Sequence, residues 1–374
     1  MKNNITIILF GILILSIFYL NIAKPFSIHN NAMGDAKVYQ GFVETIVNNH
    51  KIDFQTYHGY HGQSIFILPF YYVTGSPNSI FWVSIIFSFL NIPMAYFTGK
   101  LYGGDNNEGL FLMMILLCMP SSYIISLLGL TEPILIFWYL FTLYLLKKQS
   151  SWCYVTFAIA ISIKPLALGL IPAMLYFTYI KHKHNYLKGV FFFILSFSII
   201  FTQIMITVLT TNMILNYCSP VAQTSLSYKW YSNNVSIFIY NIINNKLWIS
   251  FIGLIIFILY SIKQKQKYNL EKFLIISLFF TIILALFVVG LQARWCVPVY
   301  LIIICLLSMY KIPNTIKLIY LFSSAPVFIL SGEKYKYLLH SIKFNEMNEM
   351  IIIYTLIIFI YILIQSKTYQ PREK

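Results

Sequence analysis

The chain has 374 residues, 59% of them hydrophobic and only 10% charged, with a mean hydropathy of +0.74. Soluble domains carry about 25% charged residues, so this composition excludes an ordinary water-soluble enzyme and fits a bilayer. The net charge of +15 calls for no nucleic-acid partner, because the lysines fall where a cytoplasmic membrane face would hold them.

The first apolar run covers 5–23. It has the outline of a signal peptide, yet its apolar part is long and Ala23 is followed by Lys24-Pro25, so it reads as an uncleaved first helix. A long outer loop follows over 24–78. Within it, 38–47 is amphipathic and 63–73 is too short for a comfortable span, which predicts interfacial or re-entrant helices. Further spans are predicted at 79–98, 109–127, 133–146, 151–163, 165–180, 187–210, 247–262, 273–291, 296–310, 315–331 and 350–364. The expectation is an all-α polytopic membrane protein with about 12 transmembrane helices (11 to 13) in a single domain over 1–374. Several of these spans are short and need a thinned bilayer or shielding by neighbours.

Counting from an inner N-terminus, Lys100, Lys147, Lys148, Lys181, Lys183, Lys188, Lys263, Lys311 and Lys367 all fall inside, as the positive-inside rule requires. The outer side receives the 24–78 loop, the turn at 129–132, the Lys164-Pro165 turn, a loop at 211–246 and the 292–295 junction. Function belongs on that side, where the loops are long enough to build a site. Cys118, Cys153, Cys218, Cys296 and Cys305 are scattered and show neither metal-ligand spacing nor a disulfide framework.

Six groups of residues carry candidate chemistry. Asp35, in GDAKVY just past the first span, is either a helix cap after Gly34 or a general base or metal ligand at the membrane surface. Tyr39 stands one turn on, at the spacing that shares its face, while Glu44 is expected to face solvent. His58 and His61 sit in the polar-aromatic cluster YHGYHGQ; imidazoles there can donate to phosphate or bind a metal, or merely ride in an interfacial aromatic belt. Glu132 precedes Pro133, where Thr131 or Glu132 could cap the next helix or the carboxylate could hold a sugar hydroxyl or a fixed cation. Lys164 before Pro165 either snorkels or binds phosphate. Arg294, one of two arginines in the chain, offers a planar donor fork suited to phosphate, with a salt bridge to Glu132 or Asp35 as the competing role. Trp230 could stack on a sugar or mark the interface.

This set resembles the superfamily of polytopic glycosyltransferases that use polyprenyl-phosphate-linked sugars, the GT-C fold, and within it the mannosyltransferase-like branch. The likeness rests on GDAKVY at 34–39, GLTEP at 129–133, Lys164-Pro165 and QARWCVP at 292–298. Two departures stand beside it: Ala36 and Lys37 follow Asp35 where the family often has a second acidic residue, and no large soluble C-terminal domain follows. The resemblance implies transfer of a hexose, mannose among them, from polyprenyl phosphate to a lipid- or glycan-linked hydroxyl on the outer or lumenal face. Asp35 would be the base or would hold a divalent cation such as Mg or Mn. Arg294 and Lys164, with His58 or His61, would neutralise the leaving phosphate, and Glu132 would orient the sugar. The partners implied are the lipid-linked donor, the hydroxyl acceptor and membrane lipids. The location implied is a bacterial inner membrane, with the endoplasmic reticulum as the alternative.

Two other classes fit the composition. A lipid-linked-sugar flippase would show halved repeats and mid-membrane charges, whereas these charges gather at helix ends on one side. A glycan polymerase would have arginine-rich outer loops, and this chain has one outer arginine.

Overall fold

A computed structural model describes residues 2–22, 35–49, 62–76, 78–118, 126, 129–211, 269–289, 297–309 and 312–318. Among the described residues every regular element is helical. The elements are α1 (Lys2–Ile22), α2 (Asp35–Asn49), α3 (Gly62–Thr74), α4 (Ser79–Gly103), α5 (Asn106–Cys118), α6 (Glu132–Lys147) and α7 (Cys153–Ile163). A 3-10 helix (Pro165–Leu170) leads into α8 (Ile171–Lys181), then α9 (Tyr186–Leu195), α10 (Ser198–Thr211), α11 (Asn269–Val289) and α12 (Val297–Met309). The two helices expected within the first outer loop are present as α2 and α3.

Side-chain contacts fix the direction of each helix. Ser84, Asn91, Thr98 and Tyr102 of α4 donate to the carbonyls of Leu130, Pro133, Leu140 and Leu143, at 3.0, 2.9, 3.4 and 3.0 Å. Both series rise together, so α4 and α6 run parallel. Between them in sequence, α5 runs back along α4, with Gly99 pressed on the Glu108 backbone and Gly109 on that of Tyr96. Packed on both α4 and α5, α1 also runs back against α4: Asn4 accepts from the Tyr96 hydroxyl at 2.8 Å, Gly11 meets Ile92, and the Tyr19 ring lies 5.5 Å from Phe89. In the same way α11 opposes α8, through Phe273 on Tyr176 at 4.2 Å, Ser277 accepting from the Ala173 amide, and Thr281 against Gly169.

The bundle therefore has two ends. At one, called upper here, lie the end of α1, the turn 129–132 and the break at Lys164. At the other lie Gly103–Gly104, Lys147–Lys148 and Lys181–Lys188. Among the described residues, the lysines of the inter-helix turns gather at the lower end, apart from Lys164 at the upper one.

The breaks follow from backbone chemistry. Gly104 takes φ +83 and its amide closes on the Lys100 carbonyl at 2.8 Å, a left-handed helix end that glycine adopts without strain. Lys164 is extended (φ −150, ψ 128) because the following Pro165 disfavours the helical region for its predecessor. From Val297 to Ser308 every residue of α12 is buried, the mark of a helix surrounded by others. The largest fully buried side chains include Tyr96, Phe111, Tyr139, Phe157 and, on α12 itself, Tyr300.

One expectation needs correction. Among the described residues a single helix, Ser79–Gly103, is long and apolar enough to cross a membrane; the pair Tyr186–Leu195 and Ser198–Met205, bent by 43°, gives a second if counted as one span. The shorter apolar helices, among them Cys153–Ile163 and Val297–Met309, have 10–17 residues, a rise of at most about 25 Å. Among the described residues the count of about twelve is thus not reached, because most of the apolar helices are shorter than a bilayer crossing needs. The expected spans 247–262 and 350–364, most of 315–331 and nearly all of the 211–246 loop lie outside the described residues.

Candidate active site at the upper end

Gly129 starts the upper turn with φ +67, packed on Ile80 and Phe81. Its carbonyl accepts from Gln63 Nε2 at 3.0 Å, and the next carbonyl, Leu130, accepts from Ser84. Two buried donors on α3 and α4 thus hold the strand of chain that enters α6. Pro133 occupies the first helical turn, where its missing N–H costs nothing. The expected cap at Thr131 does not form: Thr131 is helical in backbone and makes no capping bond through its side chain. Glu132 is left as a carboxylate in the first turn, a position the helix dipole favours.

Lys164 stands at the C-terminal end of α7, where the same dipole favours a cation, and its ammonium donates to the Glu132 carboxylate. Both side chains are buried. A Cβ on Gly62 would lie 2.5 Å from the Ser162 backbone and 2.6 Å from the Ile163 amide. The start of α3 therefore abuts the end of α7, and Gln63 comes between the Lys164 break and the 129–132 turn. Breaking such a buried pair by removing one partner typically costs 3–5 kcal/mol, which makes this junction rigid.

Of the residues singled out from sequence, the structure brings Glu132 and Lys164 together. Asp35 is the first residue of α2, and Tyr39 is buried one turn later. α2 packs on α3 and α4, which belong to the same junction. Glu44 accepts from Gln40 Nε2 at 2.8 Å, one turn apart on α2. His58, His61, Trp230 and Arg294 lie outside the described residues. No group of three or more His, Cys, Asp or Glu suited to a metal ion occurs among the described residues.

Sequence reasoning missed the donors. Ser84, Asn91 and Thr98 recur every seven residues within an apolar helix, and that spacing was the available signal for a polar seam against α6. It also missed a second buried ion pair, Lys317 donating to Glu108, at the lower end.

Residues 54–179 match the family of dolichyl-phosphate-mannose-protein mannosyltransferases. The match covers about a third of the chain and contains Gln63, the 129–133 turn, Glu132 and Lys164; over that stretch the chain is similar to a glycosyltransferase family. No curated protein and no solved structure matches.

Proposed function

We propose that this chain is a multi-pass membrane glycosyltransferase that moves a hexose from polyprenyl phosphate to a hydroxyl acceptor at the upper end of the bundle, facing the outside or a lumen. The observation that carries the reading is the Glu132–Lys164 junction, built from residues within the stretch similar to mannosyltransferases. The short helices are read as spans in a bundle that shields them. The outward row Ile5, Leu9, Leu13 and Leu20 on α1 supports lipid contact, since these residues share one helix face.

In this reading Asp35 takes the proton of the acceptor hydroxyl. That oxygen attacks the anomeric carbon, the bond from the anomeric carbon to the phosphate oxygen breaks, and polyprenyl phosphate leaves, with inversion at the sugar. Arg294, with His58 or His61, meets the charge growing on the phosphate, the kind of stabilisation that dominates many enzymes. Lys164 contributes its field from beside Glu132, and Glu132 holds a sugar hydroxyl through its acceptor capacity. Tyr39 and Trp230 are proposed to line the sugar. A divalent cation on Asp35 belongs to the proposal as a partner of the carboxylate, and the steps above do not depend on it.

The test uses purified full-length protein and a panel of radiolabelled polyprenyl-phosphate hexoses. Wild type consumes at least one donor, and Asp35→Asn, which keeps size and polarity, loses ~100-fold, the usual scale for removal of a general base. Arg294→Lys keeps the charge but loses the fork, so the rate falls whichever sugar is carried. Near-normal turnover by D35N would reduce Asp35 to the start of a helix.

A further inference from the structure

We propose that the turn joining α8 to α9 is a docking surface for anionic phospholipid headgroups in the leaflet at the lower end of the bundle. The inference rests on the membrane reading above.

The turn runs Lys181-His182-Lys183-His184-Asn185, and α9 opens with Tyr186-Leu187-Lys188. From Pro133 to Leu270 the sequence contains no carboxylate, so the counter-charge for these lysines must come from another segment or from outside the protein. Three other lysines at this end are engaged. Lys317 is paired with Glu108, and the ammonium groups of Lys147 and Lys148 sit 5.5 and 5.4 Å from the rings of Tyr102 and Tyr144. Lys181, Lys183 and Lys188 are exposed and have no ion pair among the described residues.

The turn is also held in shape. Asn185 Oδ1 accepts from the Lys188 amide at 3.1 Å and caps α9. A Cβ on Gly189 would stand 2.8 Å from the His182 Cβ, so the two helices close tightly there. The His182 ring completes a triangle with those of Tyr154 and Phe192, 6.2 and 5.8 Å away, which themselves stack at 5.8 Å. Around the charges stand apolar groups open to the surroundings: Leu187 is 85% exposed, and the Tyr179 and Tyr186 rings stack at 6.1 Å with 56% and 52% exposure. Three unneutralised cations on a fixed turn, flanked by exposed aromatic and aliphatic side chains, match the junction of headgroup and acyl chain: ammonium groups meet phosphate while the rings lie at the interface. An acidic soluble protein would match the cations and leave Leu187 and the tyrosine pair in water.

The experiment is native mass spectrometry of the full-length protein in neutral detergent, with phosphatidylglycerol or phosphatidylcholine added. Wild type retains phosphatidylglycerol preferentially. The K181Q/K183Q/K188Q variant loses that preference, by roughly five-fold per lysine at the scale of a basic residue near an anionic surface. The K181R/K183R/K188R and K147Q/K148Q variants keep it. Three results would overturn the proposal: an unchanged preference in the glutamine variant, loss of preference in the arginine variant, or displacement of the lipid by equimolar inorganic phosphate or polyglutamate. Carbonate washing of membranes separates the two readings. A chain released into the supernatant removes the membrane reading, while one that stays in the membrane but shows no lipid preference removes this inference alone.

Discussion

The bundle buries a lysine–glutamate pair at each end, and the two are built from opposite logic. At the upper end Glu132 and Lys164 are 32 positions apart and stand on neighbouring helices, one at a helix N-terminus and one at a C-terminus. At the lower end Glu108 and Lys317 are 209 positions apart, and the Lys317 ammonium also stands 5.4 Å from the centre of the Phe111 ring. There a Cβ on Gly103 would overlap the Glu108 side chain and come within 2.9 Å of the Ser308 carbonyl. The lower pair therefore staples the segment after α12 to the α4–α5 turn. The upper pair closes no such long loop; it sits where α3, α6 and α7 meet and where the 129–132 carbonyls are already held by Gln63 and Ser84. Identical chemistry can be a staple or a site, and the surroundings decide which.

Neutralising each pair is the strongest way to break this comparison. Removing one member leaves a buried charge and costs about 3–5 kcal/mol at either end. Removing both together, as E132Q/K164M or E108Q/K317M, restores much of that stability because no lone charge remains. Transfer from polyprenyl-phosphate sugar is expected to return in E108Q/K317M and to stay ~100-fold down in E132Q/K164M, a loss typical of groups that act on the reacting charge. Melting temperature and rate, measured on the same samples, decide the matter. Full activity in a stable E132Q/K164M protein would make the upper pair a second staple.

How far this was legible in the sequence differs between the two ends. Hydropathy placed most described helices closely: the expected 133–146 is α6 at Glu132–Lys147, and 151–163 is α7 at Cys153–Ile163. The helices expected at 38–47 and 63–73 are α2 and α3. Glu132 and Lys164 stood out because each is a charge beside a proline between apolar runs, but their pairing did not, because it needs the packing of α6 on α7. Glu108 was hidden in the polar cluster Asp105-Asn106-Asn107, and Lys317 among other lysines. Long-range partners 209 positions apart leave no mark in local periodicity. The seam of Ser84, Asn91 and Thr98 was readable from its seven-residue spacing, yet a hydropathy scan averages such residues away.

That seam joins the two ends and gives the next, smaller test. Asn91 is buried, with Nδ2 on the Pro133 carbonyl. Its replacement by Ala removes one interhelical hydrogen bond, and such bonds between membrane helices average about 0.6 kcal/mol and reach about 1.7. If the upper turn depends on the seam, Asn91→Ala lowers the melting temperature slightly and lowers turnover more than Thr98→Val, whose bond at 3.4 Å is longer and lies farther from Glu132. Equal effects of the two on turnover would detach the seam from the site.

The smallest expected effect concerns the lower end alone and turns on its excess of cations. His182 has its pKa lowered from 6.5, first by burial and then by the charges of Lys188 and Lys181. Its Nε2 is buried without a hydrogen-bond partner, so protonation gains no acceptor to offset the loss of water. With a folded pKa below the unfolded one, the unfolded chain takes up the proton first as pH falls. Stability is then complete above pH 6.5 and declines through the window beneath it. In zwitterionic detergent, where no anionic headgroup offsets the lysines, wild type should lose melting temperature between pH 7 and pH 5.5 somewhat faster than His182→Gln, whose side chain does not titrate. Parallel slopes for wild type and H182Q would mean that the stacked ring is indifferent to its basic neighbours, and the lower end would lose its claim to a charge-sensitive structure.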